Sequence, residues 1–155
     1  MKILETKGLK KYYGSGDTTV KALDGMDLAV EDGEFAAIVG TSGSGKSTLL
    51  HMLGGLDRPT GGSVAVGGTD IFKLRDDELT IFRRRKIGFV FQSYNLIPHQ
   101  SVLANVELAL TISGVKRAER RRRATEALEE VGLGNQLHKH PSEMSGGQMQ
   151  RVAIA

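Results

Sequence analysis

The chain has 155 residues, 39% apolar, 25% charged and 5% aromatic, which suits one folded domain and excludes a disordered chain. No apolar run approaches the ~18 residues of a membrane span, the start Met1-Lys2-Ile3-Leu4-Glu5-Thr6 lacks the apolar core of a secretory leader, and the lack of cysteine excludes disulfides and thiol catalysis. The net charge is +3, but Arg83–Lys86 and Lys116–Arg123 together hold +9 and the remaining chain −6, so the basicity is local, and a nucleic-acid surface is not expected from it.

Ile3–Leu9 and Val20–Val30 read as strands, with Gly14-Ser15-Gly16-Asp17 as the turn between them. Phe35-Ala36-Ala37-Ile38-Val39 is a short apolar run bounded by Gly33 and Gly40, the pattern of a strand buried on both faces in a parallel sheet. From Lys46 to Gly54 the pattern turns helical, with Leu49, Leu50 and Leu53 expected inward. Pro59–Gly62 is a turn. Ser63–Val66, Gly67-Gly68 and Thr69–Phe72 read as a hairpin. Asp76-Asp77-Glu78 opens a helix, since acids favour the positive end of the helix dipole.

Ile87–Phe91 reads as a second buried strand. Ser101 is placed to cap a helix carrying Leu103, Val106 and Leu110, and a further helix runs from Arg117 to Val131, burying Ala124, Leu128 and Val131 and ending near Gly132. Strands interleaved with helices indicate an α/β domain. No internal repeat or linker interrupts the chain.

Between the Phe35–Val39 run and the Lys46 helix lies Gly40-Thr41-Ser42-Gly43-Ser44-Gly45-Lys46-Ser47-Thr48. It satisfies G-x-x-x-x-G-K-[ST] in the strand-to-helix setting of a phosphate-binding loop. Glycines let successive N–H groups curl toward a phosphate, and the helix that follows adds its positive end. Lys46 would place a cation on the β- and γ-phosphates and Ser47 an oxygen on Mg²⁺. The glycine spacing does not fit a dinucleotide-binding G-x-G-x-x-G. The motif therefore points to a nucleoside triphosphate.

Pro141-Ser142-Glu143-Met144-Ser145-Gly146-Gly147-Gln148-Met149-Gln150-Arg151-Val152-Ala153-Ile154-Ala155 resembles the signature segment of ATP-binding cassette (ABC) ATPases. Met144 stands where leucine is commoner, a volume-conserving exchange. Phe89-Val90-Phe91-Gln92 resembles the family's glutamine loop, and Tyr13 stands where the family sets an aromatic against adenine. Leu53-Gly54-Gly55-Leu56-Asp57 and Tyr94-Asn95-Leu96-Ile97-Pro98 resemble the lipoprotein-releasing, macrolide-export and antimicrobial-peptide-resistance branch.

The resemblance implies an ABC-type P-loop α/β core with an N-terminal antiparallel β subdomain and an α-helical subdomain, incomplete at the C-terminus. Its expected division is 1–92 for the β subdomain and P-loop core, 93–145 for the helical subdomain, and 144–155 for the signature and its helix. It implies that Tyr13, Gly40 to Thr48 and Gln92 bind Mg-ATP in one chain. Ser47 and Gln92 would serve the metal, and Gln92 would also position the attacking water. Ser145, Gly146, Gly147 and Gln148 would close on the nucleotide of a second ATP-binding subunit, head to tail. The implied partner is a membrane-spanning permease subunit, with Tyr94, Leu96, Ile97 and Pro98 as candidate contacts or as a partly buried loop. The implied location is the cytoplasmic face of the cell membrane.

In the family an Asp-Glu pair after an apolar strand, an aspartate loop and a switch histidine follow the signature; residues 1–155 contain no such pair after the P-loop, and His51, His99, His138 and His140 all precede the signature. The expectation is an ATPase subunit driving export or release of a substrate, inactive on its own without the water-activating acid. A further expectation is that Phe35–Val39 lacks strand partners. Two alternatives stand beside the transport reading: a soluble ABC protein acting on nucleic acid or ribosomes, and a non-hydrolysing nucleotide-binding fragment.

Overall fold

The computed structural model describes all residues from Met1 to Ala155. They form two compact units, Met1–Gly88 and Phe89–Ala155, each around its own apolar core.

The first unit is built on a four-stranded antiparallel sheet in the order β2-β1-β3-β4. β1 spans Lys2–Tyr13, β2 Val20–Glu31, β3 Gly61–Val66 and β4 Thr69–Asp70. The β1–β2 register slips on either side of Leu9. Gly8 and Gly25 sit at those slips with φ of 55° and 81°, a backbone that a bulge requires and glycine adopts without penalty. The Gly8 N–H donates to Asp27 Oδ1 at 2.5 Å. Gly67 and Gly68, both at positive φ, make the two-residue turn from β3 to β4, as the hairpin pattern anticipates.

Two helices cover the sheet's apolar residues. α1 (Lys46–Leu53) buries Leu49 and Met52, and α2 (Asp76–Lys86) buries Leu79. They close the core with Leu9, Leu23, Val64 and Ile71. Leu50, expected inward, is 54% exposed, and Met52 is fully buried. Met52 lies three residues beyond Leu49, on the same stripe, whereas Leu50 is a hundred degrees round the helix. Three acids open α2 and four bases end it, which suits its dipole. The Arg75 N–H donates to Glu78 Oε2 at 3.0 Å, and Arg83 reaches back to the Gly55 carbonyl at 2.7 Å, so part of the basic run has a structural task.

The two runs read as buried parallel strands are not strands. Residues 34–40 and 87–91 join no ladder. Phe35 is 97% and Val39 87% exposed, and only Ile38 packs against the first core. Val90 is exposed, and Phe89 stacks on Phe91 with ring centroids 5.7 Å apart. A buried strand needs a backbone partner on each edge. Here β1 to β4 pair only with one another, and neither run joins them.

The second unit is helical. α3 (Val102–Ile112) starts at Ser101, whose Oγ accepts from the Ala104 N–H at 3.2 Å. α4 (Arg117–Glu130) stops at Gly132, φ 73°. The Leu133 N–H then donates to the Leu128 carbonyl at 2.7 Å and the Gly132 N–H to that of Glu129 at 2.9 Å. These are the paired bonds of a Schellman ending, whose apolar contact joins Leu128 and Leu133. α5 (Gly146–Ile154) begins in the signature. Val102, Leu103, Ala124, Leu128, Leu133, Met144 and Val152 form this core.

Candidate nucleotide-binding site

The loop from Gly40 to Gly45 is shaped by its glycines and by Lys46. Gly43 and Gly45 take φ of 79° and 89°. A β-carbon at Gly45 would also run into the Ala22 carbonyl oxygen, so both torsion and space demand glycine. The Lys46 ammonium donates to the carbonyls of Gly40 at 2.8 Å and Thr41 at 2.6 Å and lies 3.4 Å from Ser44 Oγ. The loop thus wraps a single cation. α1 starts directly behind it, with Gly45 as its N-cap and the Leu49 N–H on the Gly45 carbonyl at 2.8 Å. Leu49 and Met52 fasten that helix into the core, which fixes the direction in which its free N-terminal N–H groups point.

A cleft of about 310 Å³ opens beside this loop, lined by Ser42, Gly43, Gly45, Lys46, Ser47 and Thr48 on one side and by Val20, Lys21 and Ala22 on the other. The loop residues on this wall carry the backbone N–H groups, hydroxyls and lysine that suit a polyphosphate. Ser47 is exposed there, its oxygen open to a hard cation, so the donor set fits Mg²⁺ on a phosphate. The wall made by Val20–Ala22 escapes sequence reasoning. No motif marks those residues, and they reach the loop because Gly45 lies against the Ala22 carbonyl of β2.

Tyr13 itself does not line the cleft. Its hydroxyl donates to Asp57 Oδ2 at 3.3 Å, and the Lys11 ammonium lies 4.9 Å from the ring centroid. Lys11 is also paired with Asp57 at 2.7 Å. That contact, first among several, holds the Asp57 carboxyl below its ordinary value. At 42% exposure the ring keeps open surface.

In the second unit Gln92 is exposed on a tight turn. Tyr94 and Asn95 follow it at φ of 61° and 54°, with the Asn95 N–H on the Ser93 carbonyl at 2.7 Å. At the signature, Ser145 and Gln148 cap one another: the Gln148 N–H donates to Ser145 Oγ at 3.3 Å, and the Ser145 N–H to Gln148 Oε1 at 2.9 Å. This spends the Gln148 side-chain oxygen locally. It leaves the Ser145 hydroxyl proton and the N–H groups of Gly146 and Gly147 free at the exposed, positive end of α5. An anion is the partner for which these groups are suited.

Of the candidate permease contacts, Leu96 packs against the second core, Tyr94 and Ile97 are half-buried, and Pro98 is exposed. In the basic run on α4, Arg122 is bridged to Glu119 and Glu126, both at 2.7 Å, and Arg120 is 3.6 Å from Glu107. His140 pairs with Glu143 rather than with His138. No helix is long and apolar enough to cross a membrane.

The sequence profile described as ABC transporter matches residues 23–155. The chain is 53% identical, over 99% of its length, to an uncharacterized ABC transporter ATP-binding protein of Thermotoga maritima, of which it spans 66%. It is 54% identical to the lipoprotein-releasing system ATP-binding protein LolD of Geobacter metallireducens, again over 99% of the chain and 68% of that protein. To the macrolide export ATP-binding/permease protein MacB of Hyphomonas neptunium it is 50% identical, spanning 24% of that longer chain. Among solved structures, a bacterial ABC transporter cassette determined as a dimer matches with a TM-score of 0.89 and 45% identity, over 97% of this chain and 67% of that one. A dimeric post-hydrolysis cassette bound to ADP and Pi matches equally well. The fold is accordingly the α/β fold of these cassettes.

Proposed function

The chain belongs to the ABC transporter family, and from that premise we propose that its first unit holds Mg-ATP as part of a transport ATPase. The observation that carries this is the Gly40–Thr48 loop: two left-handed glycines, a helix start anchored in the core and an ammonium at the centre of the curl, all facing one 310 Å³ cleft.

Lys46 would exchange its contacts with the Gly40 and Thr41 carbonyls for phosphate oxygens, a charge-assisted bond of greater strength. Ser47 and Gln92 are assigned to the Mg²⁺. When bound, the metal neutralises charge on the β- and γ-phosphates. Thr48 and the Val20–Ala22 wall bound the site, and Tyr13 is assigned to the base. Gln92 would orient water, and Ser145, Gly146 and Gly147 would donate to the γ-phosphate held by a second subunit. Gln148 supports them through the cap.

On this reading residues 1–92 are the sheet and P-loop portion, 93–145 the helical portion and 144–155 the signature. Binding draws two such subunits together, and hydrolysis by the assembled ATPase parts them. The motion would pass to a membrane-spanning permease at the cytoplasmic face, for export or release of a substrate. The likenesses to LolD and MacB support that direction.

The test is binding of a fluorescent ATP analogue to the protein with and without Mg²⁺, beside Lys46→Ala, together with sedimentation at rising ATP. Saturable, Mg²⁺-enhanced binding lost in Lys46→Ala, and ATP-dependent dimers, are expected. Binding indifferent to Lys46 would overturn the assignment of the loop, and monomers at saturating ATP would overturn the paired-subunit reading.

A further inference from the structure

Tyr94 lies two residues beyond Gln92 and carries a backbone that tyrosine seldom adopts. Its φ is 61°, and Asn95 follows at 54°. Two successive non-glycine residues in the left-handed region are strained, and such strain persists only where surrounding contacts impose it. The turn is held by the Tyr94 N–H on the Phe91 carbonyl at 3.1 Å, the Asn95 N–H on that of Ser93 at 2.7 Å, and Ser93 Oγ against Asn95 Oδ1 at 2.9 Å.

The left-handed twist delivers the phenol to the signature. A β-carbon built on Gly146 would meet one neighbour within 4 Å, the Tyr94 hydroxyl oxygen at 3.2 Å. Gly146 is the first residue of α5, and its N–H is among the free donors left by the Ser145–Gln148 cap.

We propose that Tyr94 is a positioning residue for the signature: its hydroxyl, set against Gly146 by the strained turn after Gln92, fixes where the Ser145–Gly147 donors point. The inference rests on the functional reading above. Gln92 there serves the nucleotide of its own chain and Ser145–Gly147 that of the partner. Tyr94 is then a material link, within one unit, between the segment attending one nucleotide and the donors attending the other. Tyrosine supplies a rigid ring of the reach required, and glycine at 146 supplies the room.

The test compares wild type, Tyr94→Phe, Gly146→Ala and the double variant in the intact protein. It measures nucleotide affinity of the monomer and, separately, the ATP-dependent dimerisation constant. Removing the hydroxyl is expected to leave monomer affinity within twofold and to weaken dimerisation about five- to tenfold, the scale of one close side-chain contact. Gly146→Ala should weaken dimerisation as well, and Tyr94→Phe in its background should restore part of the loss, because the added methyl then clears the missing oxygen. Thermal midpoints within about 2 °C among the four proteins show that folding is not what changes.

Wild-type dimerisation by Tyr94→Phe, or strictly additive losses in the double variant, would overturn the positioning role alone. A wild-type protein that binds ATP without dimerising would overturn the paired-subunit reading and this inference with it.

Discussion

Asn105 holds the backbone of Ile97 through both its N–H and its carbonyl. Its Oδ1 accepts the Ile97 N–H at 2.7 Å, and its Nδ2 donates to the Ile97 carbonyl at 3.2 Å. The same Nδ2 lies within reach of the Gln100 and Ser101 carbonyls at 3.2 and 3.0 Å. One amide on the first turn of α3 thus determines the course of residues 97–101, the loop that presents Pro98 to solvent. Asn105→Ala strands the half-buried Ile97 N–H, and an unsatisfied buried donor costs about 1–3 kcal/mol. Urea unfolding followed by circular dichroism should register that loss. Asn105→Asp should recover it only in part, since a carboxylate still accepts the Ile97 N–H but cannot donate to the carbonyls of Ile97, Gln100 and Ser101.

Lys46→Ala and Gly45→Ala separate charge from shape at the loop. The lysine makes exposed contacts to Gly40 and Thr41, so its removal should leave thermal stability nearly unchanged. It should weaken ATP-analogue binding about 10- to 100-fold, as expected for a lost charge-assisted bond. Gly45→Ala meets both φ 89° and the Ala22 carbonyl, and should lower the thermal midpoint as well as the affinity. Equal affinity in Lys46→Ala and wild type would contradict the site.

Leu49 connects the loop to the core. It is 1% exposed among Leu9, Leu23 and Val64, and Leu49→Ala should cost about 2–5 kcal/mol by lost burial and an unfilled cavity. At a temperature where the variant is still folded, nucleotide binding should weaken too, because α1 no longer holds the loop in place. Calorimetric unfolding and binding on one preparation check both.

Acid should loosen the protein through its helix-start carboxylates. Glu78 and Glu143 lie below their ordinary 4.5, in each case first because a backbone N–H, of Arg75 or His140, donates to the carboxylate. A carboxyl depressed by folding stabilises the native state above its unfolded value and loses that contribution as pH falls through the lower, folded one. The thermal midpoint should hold from pH 7 to about 5 and decline below about 4.5. Glu143→Gln should lower the midpoint at pH 7 and shrink the acid decline, and an identical decline in that variant would contradict the assignment.

Much of this architecture is written in local chemistry. The two-residue Gly67-Gly68 turn, the Ser101 cap, the Gly132 stop, the acid-to-base gradient of α2 and the glycine spacing of Gly40–Lys46 each act within a few residues. Torsional preference and nearest-neighbour hydrogen bonding decide them. The helix read over Arg117–Val131 and the strands read over Ile3–Leu9 and Val20–Val30 are legible because their apolar patterns are intrinsic to the segment, although β1 runs on to Tyr13 by pairing with β2.

What the tertiary structure alone decided involves groups distant in sequence. Phe35–Val39 and Ile87–Phe91 have the composition of buried strands, yet a ladder is a property of two backbones, and no strand in residues 1–155 lies beside either run. The cleft wall at Val20–Ala22 arises where β2 passes the loop, with Gly45 against the Ala22 carbonyl. The Asn105 hold on Ile97 and the approach of Tyr94 to Gly146 depend on where a loop returns, and which stripe of α1 faces the core is set by what it packs against. The glycine spacing and left-handed turns of the Gly40–Lys46 loop follow from local chemistry, whereas packing over long separations sets which segments are covered and which residues stand around that loop.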